Sequence, residues 1–225
     1  MNGFKRFCAI STILASTLAA APAFAGPDQQ ATVDHALGTL QDLHRDKEFG
    51  NARELLRTAR AVLIAPRIFK AGFFFGGEGG TALLMVHGAH GWSEPAFYAI
   101  GSASFGLQIG AQQSEMVLII RSDRALKAIM SDHFKIGPDA GIAVATLGSD
   151  VGASTTAAAG ADIVAWASSA GAYAGISLEG SVIEPKHESD ADYYGRAVTT
   201  SDIVLRRSVS NPGANGLRSA IAGLN

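Results

Sequence analysis

The segment Gly101–Gln112, GSASFGLQIGAQ, decides the fold class. Ala103, Phe105, Leu107, Ile109 and Ala111 alternate with Ser102, Ser104, Gly106, Gln108, Gly110 and Gln112. A period of two puts the two sets on opposite faces of an extended chain. One face is apolar and the other is small and polar, the pattern of a half-buried antiparallel strand. Met116–Arg121 follows across a short polar turn, so the two segments are expected to form a hairpin.

Other short strands are expected on both sides. Ala61–Ala65 is an apolar run that Pro66 should end. Gly72–Phe75 and Thr81–Val86 flank Gly76–Gly80, GGEGG, which reads as a glycine-rich turn. Gly141–Gly148, Ile163–Ser168, Ala172–Leu178 and Ser181–Ile183 are further candidates. Helical periodicity appears at the start, where Val33, Leu37, Leu40 and His44 share a face within Ala31–Phe49. Arg53–Ala59 reads as a second, short helix, with Ala52, Leu55, Leu56 and Ala59 on its apolar side. Ser122 is a suitable cap for a helix reaching Met130. The predicted class is α+β: a strongly curved, barrel-like antiparallel sheet with N-terminal helices and one inserted helix. Glycine, 26 of 225 residues, is spread through the apolar segments, which fits a sheet with bulges and tight bends.

The first 25 residues have the form of a secretory signal peptide. Lys5 and Arg6 precede an apolar run, and Ala23-Phe24-Ala25 fits a cleavage site before Gly26. The chain is therefore expected to be exported, periplasmic or secreted. Four parts are expected: the leader 1–25, a helical segment 26–50, a main domain 51–185 and a polar extension 186–225 whose last residues should fray. Cys8 lies in the leader and is the only cysteine, so disulfides, thiol catalysis and cysteine–metal sites are excluded from the mature chain. The formal net charge is −2, or −4 without Lys5 and Arg6. Nucleic-acid binding, which favours a basic surplus, is not expected.

Catalytic patterns are absent. GGEGG lacks the Gly-Lys-Ser/Thr ending of a phosphate loop and does not open a helix. Ser104 lacks the flanking glycines of a hydrolase elbow. His87 and His90 form an HxxH pair in what reads as a loop, and His35, His44, His133 and His187 are scattered, so no metal site is expected. Glu188, Asp190 and Asp192 read as a solvated acidic turn. Glu78, Asp139, Asp150, Asp162 and Glu179 are isolated carboxylates. No cofactor is called for.

One local feature departs from the acidic background. Arg53, Arg57, Arg60, Arg67 and Lys70 face only Glu54 between Asn51 and Lys70, and the run continues into Phe69 and Phe73–Phe75. Cations beside aromatic side chains suit an anionic membrane surface, at about 1 kcal/mol per basic residue. The same residues also suit a sheet whose phenylalanines alternate between its faces and whose arginines are solvated.

Three stretches carry a resemblance. ELLRTARAVLIAPRIFKAGFFFGGEGGTALL, WSEPAFYAIGSASFGLQIGAQ and YAGISLEGSVI are similar, in order from Arg53 to Ile183, to the SYLF domain family. The basic residue after Ala59, Pro66 after an apolar strand, Lys70-Ala71-Gly72, the Ser-Ala-Ser strand and Leu178-Glu179-Gly180 carry it together. The resemblance implies a non-enzymatic domain that binds membrane lipid. Eukaryotic members bind phosphoinositides and some bind actin filaments, through an amphipathic N-terminal helix and nearby basic residues in the lipid case. Carried over by position, Arg53, Arg57, Arg60 and Lys70 are lipid-binding candidates, with Arg67 matching less strictly. An exported chain is expected to meet an anionic phospholipid surface rather than actin. A protein partner bound through the curved sheet is the alternative.

Overall fold

The computed structural model describes residues 26–46, 49–72, 75–105, 110–137, 141–147, 160–170, 178 and 180–224. The leader and the expected strand Ala172–Leu178, apart from Leu178, lie outside them. So do Phe73, Phe74, Asp139, Asp150 and Glu179.

Two helices come first, α1 (Pro27–Arg45) and α2 (Phe49–Thr58). Pro27 opens α1 at a position where its missing N–H would have had no helical partner. Val33, Ala36, Leu40 and Leu43 are its buried stripe, while Leu37 is half-buried and His44 is exposed. The buried face is thus rotated from the expected one, because α1 packs on the sheet and on a C-terminal helix as well. In α2, Ala52 and Leu56 are buried and Arg53 and Arg57 are exposed, as the apolar spacing indicated.

The strands are β1 (Ala61–Gly72), β2 (Phe75–Gly88), β3 (Gly91–Trp92), β4 (Ala96–Phe105), β5 (Gly110–Ile120), β6 (Phe134–Lys135), β7 (Val144–Leu147), β8 (Ile163–Ala170) and β9 (Val182–Pro185). Their order is β6-β9-β4-β2-β1-β5-β8-β7, with β3 attached to β2. Pairing is antiparallel except between β7 and β8, so the sheet is mixed, and it is strongly curled. Helix α3 (Asp123–Ile129) follows β5, and the Ser122 hydroxyl caps it by accepting the Ala125 N–H at 3.1 Å.

Three expectations about strands are corrected. Pro66 does not end β1. The strand continues to Gly72 through a bulge, where the register shifts between Ile64 and Arg67 against β2 and between Ala65 and Ile68 against β5. Proline has no N–H to give a ladder, so a bulge is where a central strand accommodates it. GGEGG is not a turn either. Gly76–Gly80 lies inside β2, paired on one side with Gly72–Ile68 and on the other with Ser104–Ile100. Gly80 faces the bulge, and a Cβ there would stand 2.1 Å from the Arg67 carbonyl oxygen. The third correction concerns GSASFGLQIGAQ. Gly101–Phe105 ends β4 and Gly110–Gln112 begins β5. These strands flank the β1–β2 hairpin, with Phe105 opposite Phe75 and Gly110 opposite Gly72. The order β5-β1-β2-β4 is that of a Greek key, and Met116–Ile120 continues β5 rather than pairing back on residues 101–112.

The C-terminal part is integral to the core. Helices α4 (His187–Tyr194), α5 (Thr200–Val204) and α6 (Asn215–Gly223) bury Tyr193, Ile203, Leu217 and Ile221, and Leu224 is buried beyond them. The end of the chain is therefore packed rather than frayed, with α6 against α1 and β3. The acidic segment is also corrected: Asp190 sits in α4, fully buried. Strand β9 pairs with β4 only from Tyr98 to Gly101. Past that point α4 takes over: the Lys186 N–H donates to the Phe97 carbonyl and the Phe97 N–H donates to Asp190 Oδ1, both at 2.8 Å. Nearby, the Tyr194 hydroxyl donates to the Pro95 carbonyl at 2.6 Å and Asn211 Nδ2 to the Tyr193 carbonyl at 2.8 Å.

Candidate functional site: a groove between helix α1 and the bulged strand

The bulge at Pro66 sets the direction of the side chains that follow. Beyond it, Arg67 and Phe69 share one face of β1, and Ile68 and Lys70 the other. Ile68 is buried and packs in a small void with Ile100, Met116 and Leu178. Arg67 and Phe69 instead border an open groove of about 410 Å³. Its second wall is α1, where Asp28, Thr32 and His35 lie at i, i+4 and i+7 on one face. Gly80 and Thr81 of β2 complete it.

Phe69 is 57% exposed and, with Leu205, one of two large apolar side chains exposed among the described residues. Arg67 Nη2 lies 2.6 Å from His35 Nε2. A guanidinium only donates, so Nε2 is the acceptor and carries no proton in this arrangement. Lys186 Nζ donates to Thr81 Oγ1 at 3.1 Å, which leaves the threonine O–H free to donate elsewhere. The Thr32 hydroxyl donates to the Asp28 carbonyl at 3.0 Å.

The five cations singled out in the sequence do not converge. Arg53 and Arg57 are exposed on α2, and Arg57 pairs with Glu54 at 3.2 Å. Arg60 lies between α2 and β1 and pairs with Asp123 at 2.6 Å. Lys70 is at the far end of β1, opposite Glu78 in the register and on the face away from Arg67. Ten residues of strand separate Arg60 from Lys70, about 30 Å. The sequence underestimated two acidic partners, Glu54 and Asp123, and overlooked His35, Thr32 and Thr81. Nothing in the local pattern links His35 to Arg67; the packing of α1 across the bulge does.

Other carboxylates serve the fold. Glu78 accepts the Ser102 hydroxyl at 2.8 Å. Asp162 receives Arg124 at 2.5 Å and the Ala143 N–H at 3.0 Å, and hydrogen bonding, led by the Ser122 hydroxyl, holds its carboxyl below the usual range. His87 stacks on Trp92 with ring centroids 4.7 Å apart, and the His90 carbonyl accepts Arg207. Among the described residues no three His, Cys, Asp or Glu side chains are grouped to hold a metal ion, and no helix is long and apolar enough to cross a membrane.

Comparison with known proteins places the chain in a family. Residues 101–224 match the Ysc84 family, described as "Las17-binding protein actin regulator". The chain belongs to the Ysc84, or SYLF, family. The matched range runs from the second half of β4 to the end of α6, so the Ysc84 pattern includes the C-terminal helices. The chain is 29% identical over 168 residues to LAS seventeen-binding protein 3 and 28% identical over 167 residues to Protein YSC84, both of Saccharomyces cerevisiae. It is 29% identical over 140 residues to human SH3 domain-containing YSC84-like protein 1. These alignments cover 73%, 72% and 61% of this chain. They cover only 36% of each yeast protein and 41% of the human one, so the chain spans well under half the length of the curated relatives it matches.

Proposed function

We propose that the protein is a peripheral, non-enzymatic lipid-binding protein, exported past its N-terminal leader, whose contact surface is the end of the sheet bearing Arg67, Phe69 and Lys70. The observation that carries this reading is the exposed Phe69 ring beside Arg67 at the mouth of an open groove, with Lys70 next in the chain on the other face of the same strand end. Inserting the exposed part of one phenylalanine contributes about 1–2 kcal/mol. Two cations near an anionic surface contribute about 1 kcal/mol each. The sum, roughly 3–4 kcal/mol, corresponds to reversible binding near the millimolar range. Arg53, Arg57 and Arg60 lie further along the molecule, and acidic neighbours offset the last two, so they add long-range attraction rather than contact.

The test is co-flotation with phosphatidylglycerol or cardiolipin vesicles against phosphatidylcholine vesicles. Binding to the anionic vesicles is expected to fall with salt and to be lost in Phe69→Glu. Failure of the folded wild-type protein to float would overturn the reading.

A second reading follows from the family description, which names a protein, Las17, as the binding partner of relatives. In that case the curled sheet binds a protein, and association is insensitive to lipid composition.

A further inference from the structure

The His35–Arg67 pair is unusual for an exposed contact. It joins α1 to the bulge of β1 across 32 residues, yet it sets a fixed cation against an imidazole at 2.6 Å with no carboxylate between them. The contact holds only while His35 Nε2 is unprotonated. A protonated imidazole would bring two donors, both cationic, to the same point. An anion placed between them would reverse that conflict, accepting from the guanidinium and the imidazolium together.

The surroundings supply the rest of an anion site. Thr81 lines the groove with its oxygen engaged by Lys186, so its O–H is left to donate and the lysine charge backs it. Gly80 keeps the floor low beside the Arg67 carbonyl. Asp28 stands two helical turns from His35, about 10 Å along the axis. It opposes a bare anion and favours an ester that carries its own hydrogen-bond donor. Asp28 on α1 and Arg67 on β1 line the groove with His35, Lys186 ahead of α4 reaches it through Thr81, and Asp34, next to His35 in the chain, is engaged by Gln30 at 2.8 Å. Asp192 of α4 is engaged by Gln29 on the neighbouring face of α1 at 3.4 Å. Glu115 of β5 lies one turn further along α1, by Thr39.

Resting on the lipid reading above, we propose that this groove binds one phosphate ester bearing a hydroxylated headgroup. Arg67, Thr81 and protonated His35 hold the phosphate, and Asp28 accepts from the headgroup hydroxyl. Binding and protonation of His35 are then linked, so affinity rises as the pH falls. A phosphatidylglycerol headgroup, a phosphodiester, and free glycerol 3-phosphate, a monoester, both offer phosphate oxygens beside glycerol hydroxyls.

The experiment uses the full chain and follows the His35 ring and Arg67 side-chain resonances by NMR. The probes are glycerol 3-phosphate, inorganic phosphate and phosphatidylglycerol vesicles, each at about pH 7.5 and about pH 6.0. Glycerol 3-phosphate is expected to shift both sets of resonances and to bind more tightly than inorganic phosphate, and the phosphatidylglycerol diester, whose charge is the same at both pH values, is expected to bind about threefold or more tightly at the lower pH. Arg67→Gln should abolish binding, His35→Gln should abolish the gain at low pH, and Lys127→Gln, on α3, should change neither. All three side chains are at least partly exposed, and unchanged backbone spectra confirm that the variants fold. Absence of any shift with soluble ester and vesicles alike overturns the site, as does an undiminished pH gain in His35→Gln. If vesicles bind in a Phe69-dependent way while His35→Gln changes nothing, the phosphate site falls and the membrane reading stands. If glycerol 3-phosphate binds at His35 and Arg67 but vesicles do not, the site stands as one for soluble phosphate esters and the membrane reading falls.

Discussion

Asp190 accepts the main-chain N–H of Phe97 at 2.8 Å across 93 residues, and through this bond the C-terminal helices take the place of a missing strand along β4. The carboxylate is fully buried, and its second oxygen, Oδ2, has no hydrogen-bond partner. Burial pushes its pKa up to about 7, with the Phe97 N–H pulling the other way. A free aspartate titrates near 4. The folded state therefore holds its proton more tightly than the unfolded chain. The stabilising contribution is complete below about pH 4 and is lost as the pH rises through about 7. Asp190→Asn keeps an oxygen for the Phe97 N–H and removes the charge. It should be more stable than wild type at pH 8, by about 1–3 kcal/mol, and nearly equal at pH 4. Denaturant titrations at the two pH values measure this; equal stability at pH 8 would mean that the carboxylate is not strained by burial.

Gly80 stands where β2 crosses the bulge of β1. Gly80→Ala puts a methyl group into the Arg67 carbonyl, which is backbone and cannot swing aside. The expected loss is about 1–3 kcal/mol or more, against a near-neutral effect for Gly216→Ala, whose added Cβ meets only the Leu37 side chain at 3.6 Å. Thermal unfolding of the two variants compares them directly.

The C-terminal helices should be needed for the fold. Leu217 and Ile221 of α6 are buried, and Arg218 Nη1 bonds Glu94 Oε1 at 3.1 Å. Burial raises the Glu94 pKa and Arg218 opposes the shift. Ile221→Ala should cost about 2–4 kcal/mol. Arg218→Ala leaves Glu94 without its cation and should lower stability more at pH 8 than at pH 5, because protonation relieves the unpaired carboxylate. Unfolding curves at both pH values check this.

Much of this architecture is written locally. The helix α2 stripe of Ala52 and Leu56, the Ser122 cap and the apolar strand beginning at Ala61 are set by neighbouring residues and are readable from spacing. Features that depend on distant partners are not. Pro66 looks like a stop because its lack of an N–H is local, whereas the bulge that absorbs it depends on β2 and β5. GGEGG looks like a turn because glycine permits one, yet Gly80 is required by the Arg67 carbonyl on the adjacent strand. The alternation in GSASFGLQIGAQ conceals the break between β4 and β5 because Gly106 and Gly110 fit the small-residue face of a single strand. Asp190 reads as solvent-facing because its partner is 93 residues away. In the candidate site, Arg67 was visible as a cation, but its pairing with His35 arises from the docking of α1 and has no sequence signature.

The cations should differ in weight. Arg57 and Arg60 are already paired with Glu54 and Asp123, whereas Arg67 contacts the His35 imidazole and forms no ion pair among the described residues. Arg67→Glu should weaken vesicle binding about tenfold or more. The double variant Arg57→Glu, Arg60→Glu should weaken it by a smaller factor and mainly at low salt, where long-range attraction survives screening. Salt titration of vesicle binding separates the two.

Phe69 is the most direct point of test. The measurement is co-flotation of wild type, Phe69→Glu and Lys127→Glu with phosphatidylglycerol and phosphatidylcholine vesicles at low and high salt, with folding verified by circular dichroism. The account expects wild type and Lys127→Glu to float with phosphatidylglycerol at low salt and Phe69→Glu to stay in solution. Flotation of Phe69→Glu equal to wild type, or no flotation of the folded wild-type protein, would contradict it.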